Sequence, residues 1–204
     1  MSNPTSPTLI LASSSAYRRE LLSRLGLSFV CIAPNVDESP LAKEGVADLA
    51  LRLAKVKAGA IAQQHPGSWI IGSDQAADLK GEPIGKPGHF DAALAQLQRM
   101  RGQVVHFHTA LCLMCGTDSN TVLVSTEVRF RNLPDEVLIN YLRTEEPYDC
   151  AGSAKSEGMG IVLLDSIRSD DPTALIGLPL IALTTLLRDA GFAIPPNPTS
   201  LVAR

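Results

Sequence analysis

The sequence predicts a mixed α/β fold, one sheet with helices on its faces. Three observations carry this expectation. Short apolar runs bounded by turn residues alternate with amphipathic segments along most of the 204-residue chain. Two longer strand patterns, 104–114 and 122–130, flank the turn Gly116-Thr117-Asp118-Ser119-Asn120 and read as a hairpin, so the sheet is not wholly parallel. Apolar residues make up 45% and charged residues 19%, a mix that suits a soluble core at a length that buries roughly 70% of the unfolded surface.

The elements follow in order. Residues 8–12 read as a first strand and 16–25 as a helix, with Leu21, Leu22 and Leu25 on one side. Residues 28–33 alternate like a second strand, and 35–45 form a loop holding Asp37 and Glu38. Residues 46–64 make a strong amphipathic helix, closed by His65-Pro66-Gly67. Trp69-Ile70-Ile71-Gly72 is a short buried strand leading to Asp74, and Lys80-Gly81-Glu82-Pro83 is a turn. A helix over 90–100 precedes the hairpin. Another over 134–144 follows it, with proline near its start. Residues 148–160 form a polar loop, 161–164 a last strand and 178–189 a closing helix. A single domain is expected over 1–204, with its core at about 9–191 and a flexible C-terminal tail over 192–204.

Composition removes several function classes. The net charge of −3 and a pI near 5.8 argue against a nucleic-acid polymer as partner, though not against a small anion held by local cations. No apolar run reaches the ~20 residues of a membrane span. The polar, proline-containing start lacks the marks of a signal peptide, so a cytoplasmic protein is expected. Cys112 and Cys115 form a C-x-x-C, but no second pair or nearby histidine completes a zinc set, and they read as structural cysteines. His106 and His108 alternate on one strand face and likewise read as structural or surface residues.

The chemistry begins at Leu11-Ala12-Ser13-Ser14-Ser15-Ala16-Tyr17-Arg18-Arg19. A strand, a serine-rich turn and a helix whose first turn is basic run against the usual acidic preference at helix starts. They make sense around a bound anion, where free N–H groups and hydroxyls face phosphate oxygens. Lys57 falls within the apolar stripe of the long helix (Val46, Leu49, Ala50, Leu53, Ala60, Ile61), whereas Lys55 points to solvent. A core-facing ammonium needs a partner: a carboxylate such as Glu38 or Asp74, a phosphate in a cleft, or both. Asp74 is placed at the carboxyl end of a strand, where α/β sheets bind ligands, and can accept a proton from water or bind a metal. Lys86 is held between Gly85 and Pro87.

Ser13-x-Ser15-x-x-Arg18, Asp37-Glu38, Lys57, Asp74 after Ile71-Gly72-Ser73, Gly85-Lys86-Pro87, Ala151-Gly152 and Gly177-Leu178-Pro179-Leu180 together resemble the Maf family of nucleotide pyrophosphatases, over roughly 9–191. The resemblance implies a Maf-like, inosine-triphosphatase-like mixed sheet flanked by helices around a central cleft, in a homodimer. It also implies hydrolysis of a nucleoside triphosphate to the monophosphate and pyrophosphate with a divalent metal, Mg²⁺ or Mn²⁺. Carried over by position, Asp74 resembles the catalytic proton acceptor. Ser13, Arg18, Lys57 and Lys86 resemble triphosphate-binding groups, and Glu38 resembles a carboxylate supporting the metal.

Tyr17, Gln75 and Glu157 stand where the 7-methyl-GTP subgroup carries an aromatic, Gln and Glu. A methylated guanine is cationic. An aromatic face attracts it by about 0.5–2 kcal/mol, and a carboxylate accepts the N1 and N2 hydrogens. The chain departs from the subgroup at Ala16, where proline is usual, and at Tyr17, where tryptophan is commoner. The alternatives are a sister activity on dTTP or UTP and a nucleotide-binding regulator of cell division.

Overall fold

A computed structural model describes residues 8–196. Its centre is a seven-stranded sheet in the order β2-β1-β3-β5-β6-β7, with β4 added to β3. The strands are β1 (Leu9–Ala12), β2 (Val30–Cys31), β3 (Trp69–Leu79), β4 (Glu82–Ile84), β5 (Val104–Cys115), β6 (Asp118–Phe130) and β7 (Leu164–Arg168). The helices are α1 (Ala16–Ser23), α2 (Val46–Ala62), α3 (Phe90–Met100), α4 (Asp135–Glu145) and α5 (Leu180–Asp189). Pairing is parallel around β1 and antiparallel from β3 through β7. The mixed sheet and the β5–β6 hairpin are as expected from the sequence.

Side-chain alternation along the strands sorts the helices. Ile10, Ile70, Ala76, Ala110 and Cys112 face α2 through Val46, Ala50, Leu53, Ala54, Ala58 and Ile61. On the opposite face, Leu9, Leu11, Ile71, Leu111 and Leu113 pack with α1 and α5. Further along that second face, Ala77, Leu79, Val105, Phe107, Val128 and Phe130 pack with α3 and α4. Between the two clusters runs a polar seam. Ser73 and Thr109 donate hydroxyl hydrogens to the carbonyls of Gly177 and Ala174, and Gln75 Nε2 donates to Thr109 Oγ1 and to the carbonyls of Ala174 and Leu175. The seam docks the turn at 174–177 onto the sheet. Asp171 completes that connection: its buried carboxylate accepts the N–H groups of Ile181 and Ala182, capping α5.

Three strand expectations need correction. β3 does not end at Gly72 but runs through Asp74 to Leu79, because Ser73, Asp74 and Gln75 all find partners inside the fold. The last strand is Leu164–Arg168 rather than 161–164, where Met159–Leu163 instead form a 3₁₀ turn with Ile161 and Val162 exposed. The second strand shrinks to Val30–Cys31. Along the α2 stripe, Ala54 and Ala58 are buried where Ala60 is only half-buried. Cys112 and Cys115 are both free thiols, three residues apart on a strand and so on opposite faces. Of the expected tail, Phe192 lies edge-on to Trp69 and Ile194 packs beside it, while 197–204 fall outside the described residues.

Candidate active site

The site lies where the sheet opens. One edge of β3 pairs continuously with β5 from Ile70 to Asp78. The other edge pairs with β1 only from Trp69 to Gly72, and with β4 only from Ala77 to Leu79. Ser73, Asp74, Gln75 and Ala76 therefore face a gap that no other strand fills among the described residues. The turn after β1 (Ser13–Ser15) forms one wall, and the segment after β4 (Gly85-Lys86-Pro87) forms the other. Asp74, expected past the end of its strand, is therefore not there but in the middle of β3, level with the turn that follows β1.

Asp74 points to the α2 side and is buried, and Lys57 is its partner. Lys57 Nζ donates to Asp74 Oδ1 at 2.6 Å and lies 2.8 Å from Glu38 Oε1. Both carboxylates suggested by the sequence as partners are used at once. The close approach depends on Gly72: a Cβ there would lie 2.2 Å from the Ala54 carbonyl oxygen and 2.8 Å from the Ala58 nitrogen. The missing side chain lets α2 sit against the sheet and brings Lys57 level with Asp74. Burial raises the Asp74 carboxyl above its ordinary value, and the charges of Lys57 and Arg18 pull the other way. A carboxylate so placed holds a proton more readily than an exposed one, as a proton acceptor must. Glu38 is 56% exposed at its side chain, so it reaches Lys57 from the solvent side. Its loop is pinned by Arg52, which grips both Glu44 oxygens and the Ser39 carbonyl, and this holds the Glu44 carboxyl down at about 2.

The serine turn opens α1. Ser15 caps the helix by accepting the Arg18 N–H, and Ser13 Oγ, buried, accepts the Ser15 N–H. A cavity of about 260 Å³ is lined by Ser13, Ser14, Ser15, Arg19, Cys31 and Ala33. Arg19 therefore joins the residues of interest. Its basic neighbourhood was visible in the sequence, but not which of the two adjacent arginines faced the cavity. Arg18 turns instead toward the centre, where Nε donates to the Gly177 carbonyl at 2.9 Å. Burial lowers its guanidinium from the ordinary value, against the opposing pull of Asp74 and Glu38.

The remaining expected residues fall at the rim. Lys86 is exposed on the opposite wall, and makes no hydrogen bond or ion pair among the described residues. Tyr17 is half-buried, with the Lys155 ammonium 5.7 Å from its ring centroid and Cys150 Sγ 3.9 Å from its hydroxyl. Burial and the neighbouring Cys150, Asp149 and Glu157 raise its phenol. Burial above all pushes the Cys150 thiol up to about 12, which disfavours its thiolate. Glu157 is exposed close enough to this group to act on Tyr17 electrostatically. Gln75 spends its amide hydrogens on the 174–177 turn, so its place here is structural as well as central. A larger depression of about 440 Å³, lined by Asp78, Lys80, His106 and Arg129 among others, lies further along β3 and contains none of these groups. His108, two residues beyond His106 on β5, bonds Ser125 and faces Asp78 at 3.5 Å, as a structural histidine does.

A helix start rich in hydroxyls, buried and rim cations, and a carboxylate raised by burial are the groups that could hold a polyphosphate and take a proton from water. Residues 8–190 match the family described as Maf-like protein. The chain is 61% identical over 181 residues to the "7-methyl-GTP pyrophosphatase" of Bordetella pertussis, covering 89% of this chain and 91% of that one. It is 58% identical over 194 residues to the protein of the same description from Cupriavidus metallidurans, covering 94% and 98%. It is 57% identical over 199 residues to that of Burkholderia thailandensis, covering 95% and 93%. The chain belongs to the Maf family.

Proposed function

We propose that this protein hydrolyses 7-methyl-GTP to 7-methyl-GMP and pyrophosphate, removing a modified nucleotide from the pool. The observation that carries this reading is the buried Asp74–Lys57 pair with Glu38 in the sheet gap, beside the serine-capped start of α1. Asp74 accepts a proton from the attacking water as the water oxygen bonds to phosphorus. The α–β anhydride bond breaks and pyrophosphate leaves. Ser13, the α1 N–H groups, Arg18, Lys57 and, from the far wall, Lys86 balance the charge of the triphosphate. Tyr17 stacks on the base and Glu157 accepts its hydrogens, with Gln75 holding the 174–177 turn against the sheet. The relatives' shared description favours the methylated purine over dTTP or UTP.

The donor set fits a divalent metal that arrives with substrate. Among the described residues no group of three or more His, Cys, Asp or Glu forms a protein-only cage. Mg²⁺ is commonly held by one or two carboxylates plus phosphate oxygens. Asp74 and Glu38 each spend one oxygen on Lys57 and keep the other. When bound, Mg²⁺ or Mn²⁺ would neutralise charge on the phosphates. A homodimer and a cytoplasmic location complete the proposal. No described helix is long and apolar enough to cross a membrane, and a dimer would sediment at twice 21.7 kDa.

The test is a substrate panel with pyrophosphate detection, run with Mg²⁺, Mn²⁺ or chelator. Preference for 7-methyl-GTP and loss of turnover on chelation are expected. Preference for UTP would overturn the base assignment, and binding without hydrolysis would favour the regulator.

A further inference from the structure

The loop carrying Glu157 is anchored by a residue that the reaction itself does not use. Glu145, in the last turn of α4, places Oε1 2.8 Å from Lys155 Nζ, and its Oε2 accepts the Met159 N–H at 2.9 Å. These two partners stand two residues before and two residues after Glu157. The lysine and the amide hold the Glu145 carboxyl below its ordinary value, so it is ionised at neutral pH. Gly158 makes the grip possible: a Cβ there would lie 2.9 and 3.0 Å from the two carboxylate oxygens. One turn earlier on the same helix face, Tyr141 Oη accepts the Lys155 N–H and donates to the Ser153 carbonyl. The loop also folds tightly on itself, since a Cβ on Gly160 would meet the Lys155 backbone at about 2.5 Å.

The grip reaches across the cleft as well. Lys155, held by Glu145, sits over the Tyr17 ring, which belongs to α1 on the other side. Glu145 thus holds the loop at both flanks of Glu157, and through Lys155 it links that loop to Tyr17. Glu157 itself is exposed, and among the described residues its one hydrogen bond is a 3.5 Å contact from the adjacent Ser156 hydroxyl. Its carboxylate owes its place to the loop rather than to contacts of its own.

We infer that Glu145 is a positioning residue for base recognition, acting through Glu157 by clamping the loop at Lys155 and Met159. This rests on the proposed role of Glu157 in reading the methylated guanine.

The test is a double-mutant cycle on the ratio of kcat/KM for 7-methyl-GTP to that for GTP. Glu145→Ala is expected to lower the ratio about tenfold, the equivalent of one charge-assisted hydrogen bond. The loss should appear in KM for 7-methyl-GTP, with kcat nearly unchanged. Glu157→Gln should lower the ratio at least as much, and adding Glu145→Ala to it should change the ratio no further. If Glu145→Ala does not fold, Glu145→Gln keeps the volume, loses the ammonium pairing and takes its place in the cycle. An unchanged ratio in the Glu145 variant, additive losses in the double variant, or an equal fall in kcat for both nucleotides would overturn the inference. A parent enzyme without preference for 7-methyl-GTP, or an ineffective Glu157→Gln, would instead overturn the reading beneath it, and the clamp's role with it.

Discussion

Burying an aspartate costs solvation that a single ion pair only partly returns. At Asp74 desolvation outweighs Lys57 and Arg18, and the carboxyl stays above its ordinary value. The consequence for stability has a definite sign. A raised carboxyl pKa means that the folded state binds more protons than the unfolded chain between the two values, so stability falls as pH rises through that window. Asp74→Asn removes this penalty while leaving an oxygen for Lys57. The variant is expected to melt at or above the parent's temperature while its turnover drops by about 10³-fold, the range of a lost general base. Calorimetry and steady-state kinetics check the two halves separately. In the parent enzyme the acid limb of kcat/KM is expected above the ordinary aspartate value of 3.8. A pH–rate profile with its limb at or below that value would remove Asp74 from the role of base. The partners of Lys57 were legible in the sequence because an ammonium in an apolar stripe demands an acid. The second anchor of Arg18, the Gly177 carbonyl, was not, since a backbone acceptor more than a hundred residues away leaves no pattern in composition.

At the level of elements, β3 shows where periodicity misleads. Its apolar half, Trp69–Gly72, announces a strand, and the polar run Ser73-Asp74-Gln75 looks like its end. The strand continues because each of those side chains has a buried partner contributed by a distant segment: Gly177, Lys57 and the 174–175 carbonyls. β7 fails to read for a related reason. Its residues Leu-Asp-Ser-Ile-Arg carry little strand signal, and the register is imposed by β6. The helices were easier, because 3.6-residue stripes and prolines near their starts are local facts. Gly72 joins the two kinds of element, and it yields a sharp prediction. Gly72→Ala pushes α2 off the sheet, and overpacking of this type costs about 1–3 kcal/mol. Urea unfolding should show that loss, with turnover falling further than stability because Lys57 moves with the helix. An unaltered enzyme would mean that α2 is free to shift.

For the whole molecule, the groups that the nucleotide would bridge come from both sides of the opening: Ser13 and Arg18 after β1 and Lys86 after β4 for the triphosphate, and Glu157 beyond α4 for the base. Binding a non-hydrolysable 7-methyl-GTP analogue is therefore expected to slow amide hydrogen exchange at 13–19, 85–88 and 155–159 together. Protection limited to one wall would mean that the ligand does not span the opening. The interruption in the sheet has a further consequence. From Gly72, the last position paired with β1, to Ala77, the first paired with β4, one extended main chain takes five steps of about 3.3 Å, or roughly 16 Å in all. Covalent bonds and the uninterrupted ladder to β5, rather than helix packing, set that length. The backbone acts as a ruler: substitutions that soften the outer layers can alter how firmly the walls are held while leaving the stride between them untouched.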